Sequence, residues 1–230
     1  MTTSSAPIGP AHPGVHLAYG TAGFRAKADI LDSTFFRMGA LAVLRSRARG
    51  GMAVGLMVTA SHNAEPDNGI KLVDPDGGML DVSWEVHATK LANAPDSGVQ
   101  AALDTIAKSV GVASSGSGGR VLLARDTRPH SARLCGLALE GVAHAGGGGE
   151  DFGLLTTPQL HHIVRHTNGS KAAGPHVGPA EWASEQGEHA YLAQLLACAA
   201  CAGFTLHSTP IQSTHAHTQC TAPNSAHLSI

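Results

Sequence analysis

The sequence lacks a strong charge of either sign: over 230 residues the formal net charge is -2, and the pI is about 6.7. Without a basic stripe, neither nucleic acid nor an anionic membrane surface is an expected partner. Long apolar runs are missing too. The most apolar stretch, Leu195 to Leu206, is interrupted by Gly203 and Thr205 and falls far short of the roughly 20 residues a membrane span needs. Met1 to Pro7 carries neither the basic nor the apolar region of a secretory signal, so it reads as a disordered lead and the chain is expected in the cytosol. Cysteine is scarce. Of 4 cysteines, only Cys135 falls in the patterned part of the chain, while Cys198, Cys201 and Cys220 lie near its end. That distribution excludes a disulfide framework and suits a reducing compartment.

What is there suffices for one ordinary core: 43% of residues are hydrophobic and the mean hydropathy is +0.01. After Asp32-Ser33, either of which can cap a helix, apolar residues recur near helical spacing through Phe35, Phe36, Leu41, Ala42 and Val43 as far as Arg49. Ala53 to Val58 is a short continuous apolar run between turn residues, the signature of a strand buried on both faces. Gly69 to Val73, the turn Asp74-Pro75-Asp76-Gly77-Gly78 and Met79-Leu80 form a hairpin. A helix starts at Asp81 or Ser83 and fades at Asn93-Ala94-Pro95. Gly111 to Gly119 is a connector into a second buried strand, Val121 to Ala124. A helix marked by Leu134, Leu137, Ala138, Val142 and Ala145 follows, then a third buried strand, Phe152 to Leu155, and a proline-started helix. Repeated strand, loop and helix predict an α/β fold with its functional loops at one end of a sheet.

The glycine runs Gly116 to Gly119 and Gly146 to Gly149 have no Lys-Ser/Thr after them, so they read as flexible linkers rather than phosphate loops. From Lys171 the character changes to scattered His, Ala, Gly, Ser, Thr and Pro, with a helical turn or two only at Tyr191 to Leu196. Cys198, Cys201, His215, His217 and Cys220 are zinc-type residues, but their close His-x-His spacing departs from familiar fingers and nothing nearby promises a ββα frame; composition explains the other histidines of the tail. The expected organisation is a lead over 1–18, a domain over 19–170 and a low-complexity or disordered tail over 171–230.

The segment with chemistry is Thr59-Ala60-Ser61-His62-Asn63, which places a hydroxyl on the exit loop of a buried strand, with Lys71 ten residues on in Asn68-Gly69-Ile70-Lys71. Upstream, Tyr19-Gly20-Thr21-Ala22-Gly23-Phe24-Arg25 adds a glycine turn and a guanidinium suited to an anion. Taken singly, Ser61 reads as a solvated turn residue and Lys71 and Arg25 as surface cations; joint placement gives them meaning. Together with Leu72-Val73-Asp74-Pro75, Arg125-Asp126-Thr127-Arg128-Pro129 and the run Gly153 to His161, these segments resemble the α-D-phosphohexomutase superfamily, and specifically its phosphoacetylglucosamine mutase branch. The likeness runs from about Tyr19 to about Gly169.

That resemblance implies an α/β/α sandwich with a mixed, mostly parallel sheet, here followed by an irregular C-terminal tail. It implies interconversion of N-acetylglucosamine 6-phosphate and 1-phosphate through a phosphoserine, in the supply of UDP-N-acetylglucosamine. By resemblance, Ser61 is the phosphate carrier, Lys71 stabilises charge or moves the hydroxyl proton, and Arg25 holds phosphate oxygens. The partner is a sugar phosphate; no oligomeric state follows. Mg²⁺ is the implied cofactor, with Ser61 as one ligand and three aspartates of an Asp-Gly-Asp-x-Asp-Arg run as the others. None of the 17 acidic residues forms such a run, and Asp74-Pro75-Asp76 reads as a turn. Arg125, Asp126 and Arg128 are expected to brace the Ser61 loop through an internal ion pair. Ala64 stands where the family commonly has proline, which is expected to loosen that loop. The readings that follow are a mutase shortened after its first domain, a non-catalytic fragment, and a phosphoglucomutase or phosphomannomutase relative.

Overall fold

The computed structural model describes residues 14–169, together with the backbone of 205–207 and 219–221. The expected lead over residues 1–13, the helical turn at Tyr191 to Leu196 and the side chains of the cysteine and histidine cluster lie outside these residues. The sheet has five strands: β1 (Phe24–Lys27), β2 (Val54–Val58), β3 (Asp67–Val73), β4 (Arg120–Arg125) and β5 (Gly148–Leu154), in the order β1-β3-β2-β4-β5. The central strand β2 is buried along its whole length, as its unbroken apolar run requires. Its parallel partner is β4, which in turn pairs in parallel with β5; β3 is antiparallel to both β2 and β1. The sheet is therefore mixed, but two ladders of four are parallel rather than a majority. The difference arises at β1, which lies in the segment read as a glycine turn and adds an antiparallel edge.

Helices cover both faces. Val54, Leu56, Val58, Val121 and Leu123 share one core with α1 (Asp32–Ala48), α2 (Val82–Ala92), α3 (Val99–Ser109) and α4 (Ser131–His144). On the opposite face, α5 (Thr157–Gly169) packs on β2 and β4, with Val164 against Gly55. The expected α/β/α sandwich is what forms. Helices α1 and α4 touch backbone to backbone: a Cβ on Gly39 would lie 2.0 Å from the Ala138 carbonyl oxygen, and one on Gly141 would lie 1.8 Å from that of Phe36.

Several expectations change in detail. Asp32 and Ser33 lie inside the first turn of α1 rather than capping it; Leu31 is the cap, and Asp32 pairs with Arg133 at 2.5 Å. Helix α3 falls in a stretch left unassigned, although Val99, Leu103, Ile106 and Ala107 form a buried stripe at helical spacing. Strand β5 begins within the glycine run and is an edge strand: only Phe152 is buried. The glycine runs are not linkers. Arg47 donates to the carbonyls of Ala113, Gly116, Gly118 and Ala145, and Gly118 N–H donates to Gly146 O at 3.1 Å, which fastens the two runs together. The hairpin turn is also tied down: Asp74 forms a salt bridge with Arg45, whose guanidinium lies 4.8 Å over the Trp84 ring. The lead is held before Tyr19, because Leu17 N–H donates to Asn93 Oδ1 at 2.9 Å and Asn93 Nδ2 donates to the Leu17 carbonyl at 2.6 Å.

Among the described residues no helix is long and apolar enough to cross a membrane. The chain forms two compact units, Met1–Pro179 and Ala180–Ile230. In the second, β6 (Thr205–His207) pairs antiparallel with β7 (Gln219–Thr221). This ladder was not expected from the scattered composition; β-branched Thr205 and Thr221 stand opposite each other at one end of it.

Candidate functional site

Ser61 stands exposed on the loop that leaves the C-terminal end of β2. Strands β4 and β5 end at the same edge, so the exit loops Arg125 to Thr127 and Leu154 to Gln159 join Thr59 and Ser61 around an open cleft of about 520 Å³. The Ser61 loop is ordered by its ends: Thr59 N–H donates to Gly69 O at 2.9 Å, and Asn63 N–H to Ala60 O at 2.8 Å.

Beneath the loop, Asp126 is a hub. Its carboxylate accepts from Thr59 Oγ1 at 2.9 Å, Ser131 Oγ at 2.6 Å and the Arg128 N–H at 3.1 Å, with Arg128 Nε at 3.4 Å. Burial pushes this carboxyl up, but the hydrogen bonds from Ser131, Arg128 N–H and Thr59, with the Arg128 charge, prevail and hold it below the ordinary aspartate value. The expected brace exists in altered form. The Arg128–Asp126 pair is present, but Arg128 grips the loop by its carbonyls, through Nη1 to Ala64, Glu65 and Asp67 and Nη2 to Ala60 and Asn63. Arg125 lines the cleft and forms no ion pair among the described residues. The Ala64 carbonyl also accepts from Asp67 N–H at 3.0 Å.

Asn68, His130 and Ser131 were not legible as site residues, because their contacts span more than sixty residues of chain. Asn68 Nδ2 donates to Ser131 Oγ at 2.9 Å and to His130 Nδ1 at 2.8 Å, leaving His130 Nε2–H to donate to the Glu65 carbonyl at 3.2 Å.

Lys71 and Arg25 are carried by β3 and β1, on the other side of β2 from β4 and β5. Lys71 is opposite Met57 in the β2–β3 ladder, and Arg25 is opposite Gly69 in the β1–β3 ladder. Two glycines permit the approach. Gly23, at φ +78°, leaves no room for a Cβ, which would fall 2.7 Å from Lys71 Cβ; one on Gly69 would fall 3.0 Å from Arg25 Cγ and 2.8 Å from Thr59 O. Arg25 Nη1 reaches Asn63 Oδ1 of the Ser61 loop at 3.5 Å, while its Nε is buried without a partner. Burial first, and the Arg25 charge second, lower the proton affinity of Lys71. His161 of α5 lies in the same field. Burial lowers its proton affinity, the Gly77 carbonyl 2.8 Å from Nδ1 opposes this, and the Lys71 charge adds to it. Neither Arg25 nor Lys71 has a carboxylate partner among the described residues, so two adjacent cations are left to face an anion.

A magnesium site does not fit these residues. No group of three or more His, Cys, Asp or Glu side chains converges among them, and Asp126 and Asp74 are committed to Arg128 and Arg45. Ser61 is left as a single candidate oxygen.

Comparison with known proteins agrees with this geometry. The model of the phosphoglucomutase/phosphomannomutase family, alpha/beta/alpha domain I, matches residues 32–98 and 92–174. The phosphoacetylglucosamine mutase of Sus scrofa is 53% identical over 158 residues, 68% of this chain and 29% of that protein. A crystal structure of N-acetylglucosamine-phosphate mutase, a member of the alpha-D-phosphohexomutase superfamily, in the apo form, aligns with a TM-score of 0.67 at 42% identity, over 70% of this chain and 36% of the other. The Aspergillus fumigatus N-acetylphosphoglucosamine mutase in complex with GlcNAc-6P and magnesium aligns with a TM-score of 0.64 at 44% identity, over 72% and 30%. The chain thus spans about three tenths of the length of the curated relatives it matches. With a serine on the central strand's exit loop, an arginine reaching that loop through Asn63 and a family match over more than half of its length, the chain belongs to the phosphoglucomutase/phosphomannomutase family through its α/β/α domain I.

Proposed function

We propose that this chain carries the phosphoserine centre of a phosphoacetylglucosamine mutase, acting on N-acetylglucosamine 6-phosphate and 1-phosphate in the supply of UDP-N-acetylglucosamine. The observation that carries the reading is that Arg25 reaches Asn63 of the Ser61 loop at 3.5 Å with Lys71 in its field, two cations with no carboxylate partner among the described residues. In the transfer, the bond from phosphorus to Ser61 Oγ breaks and a bond to a sugar hydroxyl oxygen forms; the proton of that hydroxyl ends on Ser61 Oγ, directly or by way of the uncharged amine of Lys71, and the free Ser61 hydroxyl is regenerated for the return step. Arg25 holds the non-bridging oxygens. Lys71 stabilises their charge or takes the hydroxyl proton, a role eased by its lowered proton affinity. The solved fungal relative holds GlcNAc-6P and magnesium, which supports a sugar phosphate partner and Mg²⁺ in the family. The residues described here supply no acidic cluster for that ion.

The test is incubation of the full chain with glucose 1,6-bisphosphate, followed by peptide mass spectrometry. One phosphoryl group is expected on Ser61, and none on the Ser61→Ala protein. Label on another residue, or equal label in Ser61→Ala, overturns the assignment. A second reading, anion binding without transfer, is favoured by the missing acidic cluster and predicts phosphate affinity with no label at all.

A further inference from the structure

Arg128 gathers five carbonyl oxygens of one loop around a single guanidinium: Ala60 at 2.5 Å, Ala64 at 2.7 Å, Asn63 at 2.8 Å, Asp67 at 3.0 Å and Glu65 at 3.1 Å. The side chain is only 13% exposed, and its third nitrogen faces Asp126. This is more than a fastening. Every peptide bond here is trans, and in a trans peptide the N–H points opposite to the carbonyl of the same unit. The Ala60 carbonyl shares its peptide with the Ser61 N–H. The Ala60 carbonyl, which also accepts from Asn63 N–H at 2.8 Å, is held against Arg128, so the amide of Ser61, an exposed residue, points away from Arg128. That N–H has no hydrogen-bond partner among the described residues.

We propose that Arg128 is a positioning residue for phosphoryl transfer, acting through the Ala60–Ser61 peptide to present the Ser61 N–H as a donor to the phosphate that Arg25 and Lys71 attract. The inference rests on the phosphate reading of the site and adds an amide to its donors. The shape of the guanidinium matters as well as its charge. A planar fork with donors on two terminal nitrogens spans carbonyls on both sides, whereas an ammonium is one point charge. The Thr59 hydroxyl and the Ser131 hydroxyl fix Asp126, and Asp126 in turn fixes the plane of Arg128.

The experiment is titration of the isotopically labelled full chain with inorganic phosphate, followed by amide NMR, with the melting point measured in parallel. In the native protein the Ser61 N–H resonance is expected to move downfield as phosphate saturates. In Arg128→Lys it is expected to stay put, with phosphate affinity at least tenfold weaker, while the remaining amide spectrum and a cooperative melt show the chain still folded. Phosphate shifts around Arg25 and Lys71 that leave the native Ser61 amide unmoved overturn the inference on the native chain alone, whether or not a variant folds, and spare the phosphate reading. Arg128→Lys responding as the native protein does also overturns it, since charge alone would then suffice. If no resonance near Ser61, Arg25 or Lys71 responds in the native protein, the phosphate reading falls and the inference falls with it.

Discussion

Lys71 shows what the site demands of one residue. Half-buried and next to Arg25, it holds its proton less tightly than a free lysine, with burial as the larger cause. The sign follows from linkage: a lysine whose proton affinity falls on folding destabilises the folded state fully below its depressed value, and the penalty vanishes above about 10.4, the ordinary lysine pKa. Lys71→Met is therefore expected to raise Tm at neutral pH, by roughly 1–2 °C after allowing for solvent screening. The gain should shrink above pH 10. A lower Tm for the variant at pH 7 would show that the ammonium has a stabilising partner. Inorganic phosphate should raise the native Tm more than that of the variant. Ser61, Lys71 and Arg25 stand out as candidates in the sequence because each lies within a short contiguous motif. Asn68, His130 and Ser131 could not, because what unites them is a hydrogen-bond network closed only when β4 docks beside β2.

At the scale of elements, the α1–α4 contact depends on missing side chains. Gly141 sits so close to the Phe36 carbonyl that an added methyl group would have to displace backbone, whereas Gly136, earlier on α4, has nothing within 4 Å of its Cβ position. Gly141→Ala is expected to cost about 2–3 kcal/mol by overpacking, seen as a Tm drop of roughly 5–10 °C. Gly136→Ala is expected to stabilise by about 0.5–1 kcal/mol, because alanine is the better helix former. Equal effects from the two would mean that packing between these helices is not set by backbone contact. Elements with a clear local signal were legible: the continuous apolar run of β2, the Asp81 cap of α2, whose carboxylate accepts from Ser83 N–H, and the periodicity of α4. Strand β1 was hidden because Phe24–Lys27 is a strand only by pairing with β3, and its glycine turn dominates the local reading. Strand β5 misled in the other direction. Its apolar end suggested burial, but as an edge strand it is covered only at Phe152.

Across the whole molecule, arginines join segments distant in sequence. Arg37 closes the end of α2 through Leu91, Ala92 and Ala94 carbonyls and Asp96, Arg47 binds the two glycine runs, and Arg128 binds the Ser61 loop to the exit of β4. Composition shows that arginines are present; which carbonyls they find is decided by the completed fold. Asp126 makes one of these joints sensitive to acid. Its carboxyl titrates below the ordinary aspartate value, so its stabilisation is complete above about pH 4 and is lost as pH falls through the depressed folded-state value. Native stability is expected to fall more steeply from pH 4 downward than that of Asp126→Asn, as measured by urea melts; parallel curves would exclude Asp126 as a contributor.

The strand order also splits the site's ancestry in the chain. Ser61 and both of its cations come from residues 23 to 71, while the arginine that shapes the serine's surroundings comes from the stretch after β4. A proteolytic product ending before residue 120 would retain Arg25, Ser61 and Lys71 in its sequence, yet would lack both the parallel neighbour of the serine's strand and the guanidinium that gathers the carbonyls of its loop.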